Sequence, residues 1–354
     1  MIISRTPFRI SFFGGGTDYP AWYRRHGGTV LATTIDKFCY LTCRYLPPFF
    51  EHRIRVVYSK IEDVQAVDQI THPAVREVLR FLKFDRGVEI HHDGDLPARS
   101  GMGSSSSFTV GLLHALYALK GHMPTKHQLA TEGIFLEQER LREMVGSQDQ
   151  VSAAYGGFNQ ITFAPDGEIV VSPITLTPDR IRALNSRLQL YFTGVSRTAS
   201  EVAESYVEDA TGREGSLRAL GAMVEDALAL LRGGGDLDDF GRLLHEAWQL
   251  KRGLGSRVSN SHVESIYDAA RAGGALGGKL LGAGGGGFLV LYVPPDRQEA
   301  VRQRLRGLLH VPFRFEASGS QIIFFDHETD YAAEDVSREG PRTFRELRDV
   351  EGTG

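Results

Sequence analysis

The sequence predicts an α+β protein of two domains, on three observations. The chain has 354 residues, and at about 150 residues per domain that length suits two domains. The first half mixes strand and helix patterns without a regular βαβ alternation. The second half reads as a strand, three or four helices, a strand, a helix and further strands. The expected boundary lies near 175–187. It gives domains over 1–180 and 181–340, with a charged tail over 341–354.

The elements follow from local chemistry. Residues 2–13 are β-branched and aromatic and stop at Gly14-Gly15-Gly16, a strand running into a loop. Residues 30–46 and 54–59 also read as strands. The apolar spacing Val75, Val78, Leu79, Leu82 predicts a helix over 73–84, with Thr71 as its cap. A short strand over 87–92 leads into a loop and then a helix ending near Leu119. Helices follow over 125–142 and 147–155. Strands 157–163 and 169–174 form a hairpin about Pro165-Asp166-Gly167. In the second half, a strand over 188–193 precedes helices over 199–209, 215–232, 237–252 and 261–272. A glycine loop over 278–287 leads to a buried strand over 288–293. A helix over 298–309 and strands within 313–325 complete the pattern.

Composition excludes several classes. With 40 Lys+Arg against 44 Asp+Glu there is no large basic field, which disfavours nucleic acid as a partner. No run of 18 apolar residues is present, so no membrane span is expected. The N-terminus lacks a signal-peptide profile, and the expectation is a cytoplasmic protein. Cys39 and Cys43 are predicted on one strand, about 13 Å apart, too far for a disulfide, and read as buried thiols.

The glycines carry the chemistry. Gly273–Gly278 followed by Lys279 nearly spells a Walker A loop, but Leu280 stands where Ser or Thr would hold Mg²⁺. Gly282, Gly284 and Gly287 match G-x-G-x-x-G, yet a strand follows where a dinucleotide site needs a helix. That loop reads either as a tight backbone approach or as a contact to bound phosphate or substrate, with Gly284 and Gly285 the nearest candidates. The segment 97–107 is different. Gly101, Met102 and Gly103 turn sharply into Ser104, Ser105, Ser106 and Ser107, which open a helix. Free N–H groups and the positive end of the helix dipole make that terminus a phosphate site. One serine there could be a plain cap; four after G-x-G exceed what capping needs. Asp149 sits among small residues in Gly146-Ser147-Gln148-Asp149-Gln150, where it can meet a hydroxyl or simply cap a helix. Glu137 lies 12 residues earlier and suits a metal. In Gly16-Thr17-Asp18, the side chains offer groups for substrate hydroxyls, although Asp18 also fits an Asx-turn. Arg9, on the strand before, suits a phosphate or carboxylate.

Together these segments resemble the GHMP kinase superfamily. Three motifs appear in that family's order: 7–19, the nucleotide loop 96–107 and the glycine loop 279–287. Within the superfamily, 5–20, 145–159, 193–200 and 277–288 are most similar to bacterial D-glycero-D-manno-heptose 7-phosphate kinases, whose product feeds surface polysaccharide synthesis. The resemblance implies an S5-like N-terminal domain and a ferredoxin-like C-terminal domain, with ATP, Mg²⁺ and a sugar phosphate between them. It implies that Ser104 to Ser107 hold the triphosphate, that Ser105 and Glu137 hold Mg²⁺, and that Asp149 faces the acceptor hydroxyl. Arg9 would stabilise charge near the transferred phosphoryl, and Asp18 would bind sugar hydroxyls. The chain departs from galactokinases, which have Gly-Glu-His-Thr-Asp-Tyr where this one has Gly14-Gly15-Gly16-Thr17-Asp18-Tyr19. It has Arg9 where mevalonate kinases have Lys, and Ser106 where the nucleotide loop ends in Ala. For the acceptor's own phosphate, the candidates are Arg197 in Ser196-Arg197-Thr198, Lys279 and the pair Arg24-Arg25, which also reads as solvated surface. An unphosphorylated fucose- or mannose-like acceptor is the enzymatic alternative, and a nucleotide-binding regulator without catalysis the other. A homo-oligomer remains open.

Overall fold

Strands Ile2–Phe13 (β1) and Gly28–Tyr45 (β2) pair antiparallel along most of their length, from Ile2 opposite Cys43 to Phe13 opposite Leu31. They form the spine of the larger sheet in the computed structural model, which describes residues 1–47, 49–98, 100–195, 213–327 and 331. Around them lie Ile54–Val57 (β3), Ile61–Val64 (β4), Val88–Gly94 (β5), Phe158–Phe163 (β6) and Ile169–Pro173 (β7). Among the described strands only the β3–β5 pair is parallel; β6 and β7 make the expected hairpin. Cys39 and Cys43 are buried free thiols on β2.

Helix Ser104–Leu119 (α3) packs across β1 and β2. Every residue from Ser106 to Leu119 except Tyr117 is buried, as expected of a helix apolar on all sides. It approaches closely at Gly111, where an added Cβ would meet the Thr6 hydroxyl at 2.7 Å. The other helices of this half are Pro20–His26 (α1), Pro73–Phe81 (α2), Lys126–Phe135 (α4), Gln148–Tyr155 (α5) and Pro178–Asn185 (α6). The cap of α2 is His72, whose Nδ1 accepts from the Val75 N–H at 3.4 Å, and not Thr71. The predicted helix 125–142 stops at Phe135 and continues as a π-turn over Leu136–Arg140. α6 occupies the expected boundary near 175–187; Thr177 caps it, and Arg180 donates to the Leu230 and Leu231 carbonyls of the next helix described.

The second sheet is antiparallel, in the order β11-β8-β10-β9. Its strands are Leu188–Phe192 (β8), Gly277–Leu280 (β9), Phe288–Tyr292 (β10) and Leu309–His310 (β11). Helices Glu214–Arg232 (α7), Asp238–Arg252 (α8) and Ser261–Ala272 (α9) belong to this half, followed by Gln298–Arg304 (α10). Two expectations are corrected. Residues 277–280 form a strand instead of opening a loop: the glycines let β9 run beneath α8, where a Cβ on Gly277 would meet the Gly241 carbonyl at 1.9 Å. The split into 1–180 and 181–340 also fails at its C-terminal end. Phe315–Glu316 (β12) pairs with β2, and Gln321–Phe325 (β13) pairs with β1, so the chain returns to the first sheet. Ser320 fastens this return through Thr6 and His114, at 2.8 and 3.0 Å. The expected helix 199–209 and tail 341–354 lie outside the described residues.

The two halves meet at the end of β1. Phe240 of α8 packs edge-on against Phe12 and Phe13, with ring centroids 5.5 and 5.2 Å apart. Such pairs add about 0.5–1.5 kcal/mol each beyond their buried area. A cleft opens beside this contact.

Candidate active site

The nucleotide loop and the glycine loop touch backbone to backbone. Gly101 has φ +79°, and a Cβ there would meet the Leu281 carbonyl at 2.5 Å; one on Gly287, at φ +104°, would meet the Ser100 carbonyl at 2.2 Å. Phe288 N–H donates to that same carbonyl at 3.2 Å. Only glycine fits both positions. Gly103, at φ +75°, precedes α3 with no side-chain cap, and the first turn contains no acid. The α3 N-terminus therefore lines the cleft through Gly103 and Ser104 to Ser106, with no cap from the N-cap residue itself.

The cleft encloses about 210 Å³. On its wall Arg9 grips Asp149 with both ends of its guanidinium fork: Nε donates to Oδ1 at 2.8 Å and Nη2 to Oδ2 at 2.6 Å. Arg9 Nη1 donates to the Gly101 carbonyl at 2.6 Å, and its backbone N–H to Met102 at 3.1 Å. One side chain thus fixes the carboxylate relative to the nucleotide loop. Bidentate pairing of this kind sets orientation as well as energy. The pair is 4% and 23% exposed, so the carboxylate stays open to the cleft.

Glu137 is fully buried within the π-turn, a distortion frequent at functional sites. Its Oε2 accepts from Ser106 Oγ at 2.8 Å and from the Gln150 amide. Its Oε1 makes no hydrogen bond among the described residues, although Glu137 lines the cleft. Burial pushes its carboxyl up to about 7; Glu143 adds to the shift, while Ser106 and Gln150 oppose it. A buried carboxylate oxygen with an open lone pair beside serine hydroxyls is the donor set of a hard divalent cation.

Asp18 is buried against Gly146, where a Cβ would lie 1.9 Å from Oδ2. Its oxygens accept from the N–H groups of Gly16 at 3.0 Å and Gln148 at 3.4 Å. Burial raises its pKa, and Asp149 adds to that. Across the cleft are two buried ammoniums. Lys279 Nζ donates to the Phe12 carbonyl at 2.9 Å, and Lys251 Nζ to the Gly282 carbonyl. Burial pushes Lys251 down to about 8, with Arg9 adding to the shift and Asp18 and Asp149 opposing it. Burial, then the charges of Lys251 and Arg9, hold Lys279 well below the usual lysine range.

The structure brings Arg9, Gly16, Asp18, Gly101, Gly103, Ser104, Ser105, Ser106, Glu137, Asp149, Lys279 and Gly284 to one cleft. Several expected residues stand elsewhere. Thr17 lies outside the lining because its hydroxyl is held between the Gly14 and Thr29 carbonyls, at 2.8 and 2.9 Å. Met102 is in the core. Ser107 donates to the Pro7 carbonyl at 2.9 Å. Gly285 donates its N–H to Val258 at 3.0 Å. Ser106, not Ser105, contacts Glu137; Ser105 is exposed at the cleft. Arg24 and Arg25 are exposed on α1, outside the lining. Arg197 lies outside the described residues. The sequence reading missed Lys251, Ser11 and Gln148, which all line the cleft. Lys251 left one signal: it falls on the buried stripe of α8 with Phe240, Leu244, Ala247 and Trp248.

This geometry agrees with what the chain is similar to. Residues 69–157 match the GHMP kinases N-terminal domain, and residues 223–310 the GHMP kinases C-terminal domain. The D-glycero-alpha-D-manno-heptose 7-phosphate kinase of Campylobacter jejuni is 30% identical over 320 residues, covering 86% of this chain and 93% of that one. An L-fucokinase/L-fucose-1-P guanylyltransferase of Bacteroides fragilis is 27% identical over 346 residues, 86% of this chain but 36% of that longer protein. The crystal structure of a D-glycero-D-manno-heptose 1-phosphate kinase from Bacteroides thetaiotaomicron superposes with a TM-score of 0.76 at 24% identity, covering 92% of this chain and all of that one. The chain belongs to the GHMP kinase family, whose members use ATP as phosphate donor. No described helix is long and apolar enough to cross a membrane.

Proposed function

We propose that this kinase transfers the γ-phosphoryl group of ATP to the anomeric C1 hydroxyl of D-glycero-D-manno-heptose 7-phosphate. The observation that carries the reading is the Arg9–Asp149 pair, fixed at the mouth of the uncapped α3 terminus. The heptose assignment draws support from the Campylobacter jejuni relative.

The N–H groups of Ser104 to Ser106 and their hydroxyls hold the β- and γ-phosphates. Glu137, with Ser106 or Ser105, holds Mg²⁺, which neutralises phosphate charge when bound. Asp18 takes sugar hydroxyls. Asp149 orients the C1 hydroxyl; that oxygen forms the new bond to γ-phosphorus, the bond to the β-phosphate oxygen breaks, and the proton leaves toward Asp149. Arg9 keeps the carboxylate aimed and balances charge on the transferred group. Positioning and charge neutralisation are what phosphoryl transfer requires.

Steady-state kinetics with ATP and Mg²⁺ test the substrate. The reading expects heptose 7-phosphate to be used with a far higher kcat/KM than free mannose or fucose. Equal use of a free sugar would retain the kinase chemistry and replace the substrate by one like that of the fucokinase relative.

A further inference from the structure

Lys251 and Lys279 reach the cleft from different elements, α8 and β9, and both are buried. A buried ammonium is ordinarily paired with a carboxylate. Here each spends one donor on a backbone carbonyl and makes no ion pair among the described residues. A lysine has three donors, so two remain on each. The Ser11 hydroxyl also lines this wall, buried and without a partner among the described residues. It sits one residue before Phe12, whose carbonyl holds Lys279. Asp18 is the buried carboxylate that both lysines feel through space, but backbone N–H groups already hold its oxygens. Two cations and an orphan hydroxyl on one wall form an anion receptor that the protein itself does not fill.

The two lysines are anchored differently: Lys251 on Gly282, which packs against Gly101 of the nucleotide loop, and Lys279 on β1. Arg9 marks the reacting carboxylate, and Phe12 lies three residues further along β1, about 10 Å at strand rise. Lys279 is therefore anchored on β1 beyond Arg9, on the same wall as Asp18.

We propose that Lys251, Lys279 and Ser11 bind a second phosphate, the monoester carried by the acceptor sugar, and so discriminate a sugar phosphate from the free sugar. This inference rests on the reading that the acceptor is a phosphosugar.

The test uses Lys251→Met and Lys279→Met, which keep the unbranched stem short of the terminal nitrogen and remove the charge. Kinetics are measured with heptose 7-phosphate, with dephosphorylated heptose and with varied ATP. An intact melting transition of each variant is the control for folding. Each variant is expected to lose roughly 10- to 150-fold in kcat/KM for the phosphosugar, the worth of one charge-assisted hydrogen bond, chiefly through KM. The loss on free heptose and the change in KM for ATP are each several-fold smaller than the loss on the phosphosugar. Ser11→Ala moves KM the same way by a smaller factor. Equal losses on both sugars with a raised KM for ATP would overturn the proposal and assign the lysines to the nucleotide. Unchanged variants in an enzyme that prefers the phosphosugar would overturn the lysine site alone. A wild type indifferent to the 7-phosphate would overturn the substrate reading and this inference with it.

Discussion

The two walls of the cleft are built in opposite ways. The nucleotide wall is backbone: one contiguous segment, two glycines with positive φ and the uncapped start of α3. The acceptor wall is side chains drawn from distant places: Arg9 and Ser11 on β1, Asp18 on a loop, Asp149 on α5, Lys251 on α8 and Lys279 on β9. On the proposed reading, a backbone cradle recognises what every turnover shares, the triphosphate. Scattered side chains can be changed singly, which suits the partner that distinguishes one kinase from another.

Substitutions break this division by stages. The largest effect is expected at Asp149→Asn, which should lower kcat by roughly 10² to 10⁴, read from steady-state rates on variant protein whose melting transition is intact. A rate within threefold of wild type would remove Asp149 as the proton acceptor. Next is Glu137→Gln on the nucleotide side, expected to raise the Mg²⁺ concentration for half-maximal rate by roughly 10- to 100-fold. Because burial lifts the Glu137 carboxyl to about 7, protonation competes with the cation below that pH. The wild-type Mg²⁺ requirement should climb as pH falls through 7, and the variant's should not.

Lys251 gives a stability test. Its folded pKa of about 8 lies below that of an unfolded lysine, near 10.4. The folded protein therefore carries a penalty for the charged form that is fully present below pH 8 and gone above about pH 10.5. Ligand-free Lys251→Met should be more stable than wild type at pH 7, by about 1–3 kcal/mol, and the gain should shrink by pH 10. Urea midpoints at the two pH values measure it; a difference independent of pH would contradict the assignment. The smallest effect belongs to the double change Arg24→Gln and Arg25→Gln. Both residues are exposed outside the cleft, and kcat/KM should stay within about twofold, since surface substitutions away from such features cost little.

Legibility in the sequence follows the same division. The nucleotide wall was readable because its chemistry is local, a run of glycines and serines opening a helix. Arg9, Asp18, Glu137 and Asp149 were readable as candidates, but nothing local gave the Arg9–Asp149 pairing across 140 positions. Thr17 misled because a hydroxyl beside Gly16 looks free until Thr29 closes over it. Lys279 stands in a glycine run that hides a strand, since Gly277 answers to α8 and Gly278 to β10 and neither to a turn. Lys251 carries no local motif, and its one signal is its place on the apolar stripe of α8. The return of β13 to β1 could not be read from Gln321–Phe325, since a strand's own sequence does not name its partner across more than 300 residues.

The central claim is that one phosphate is transferred to C1 while another is held at the far end of the same sugar. Phosphorus NMR of the product from ATP, Mg²⁺ and heptose 7-phosphate tests it most directly. The account predicts a new anomeric phosphate signal, coupled to the C1 proton, beside an intact 7-phosphate. A new phosphate on any other hydroxyl, or ADP released with no anomeric signal, would contradict it.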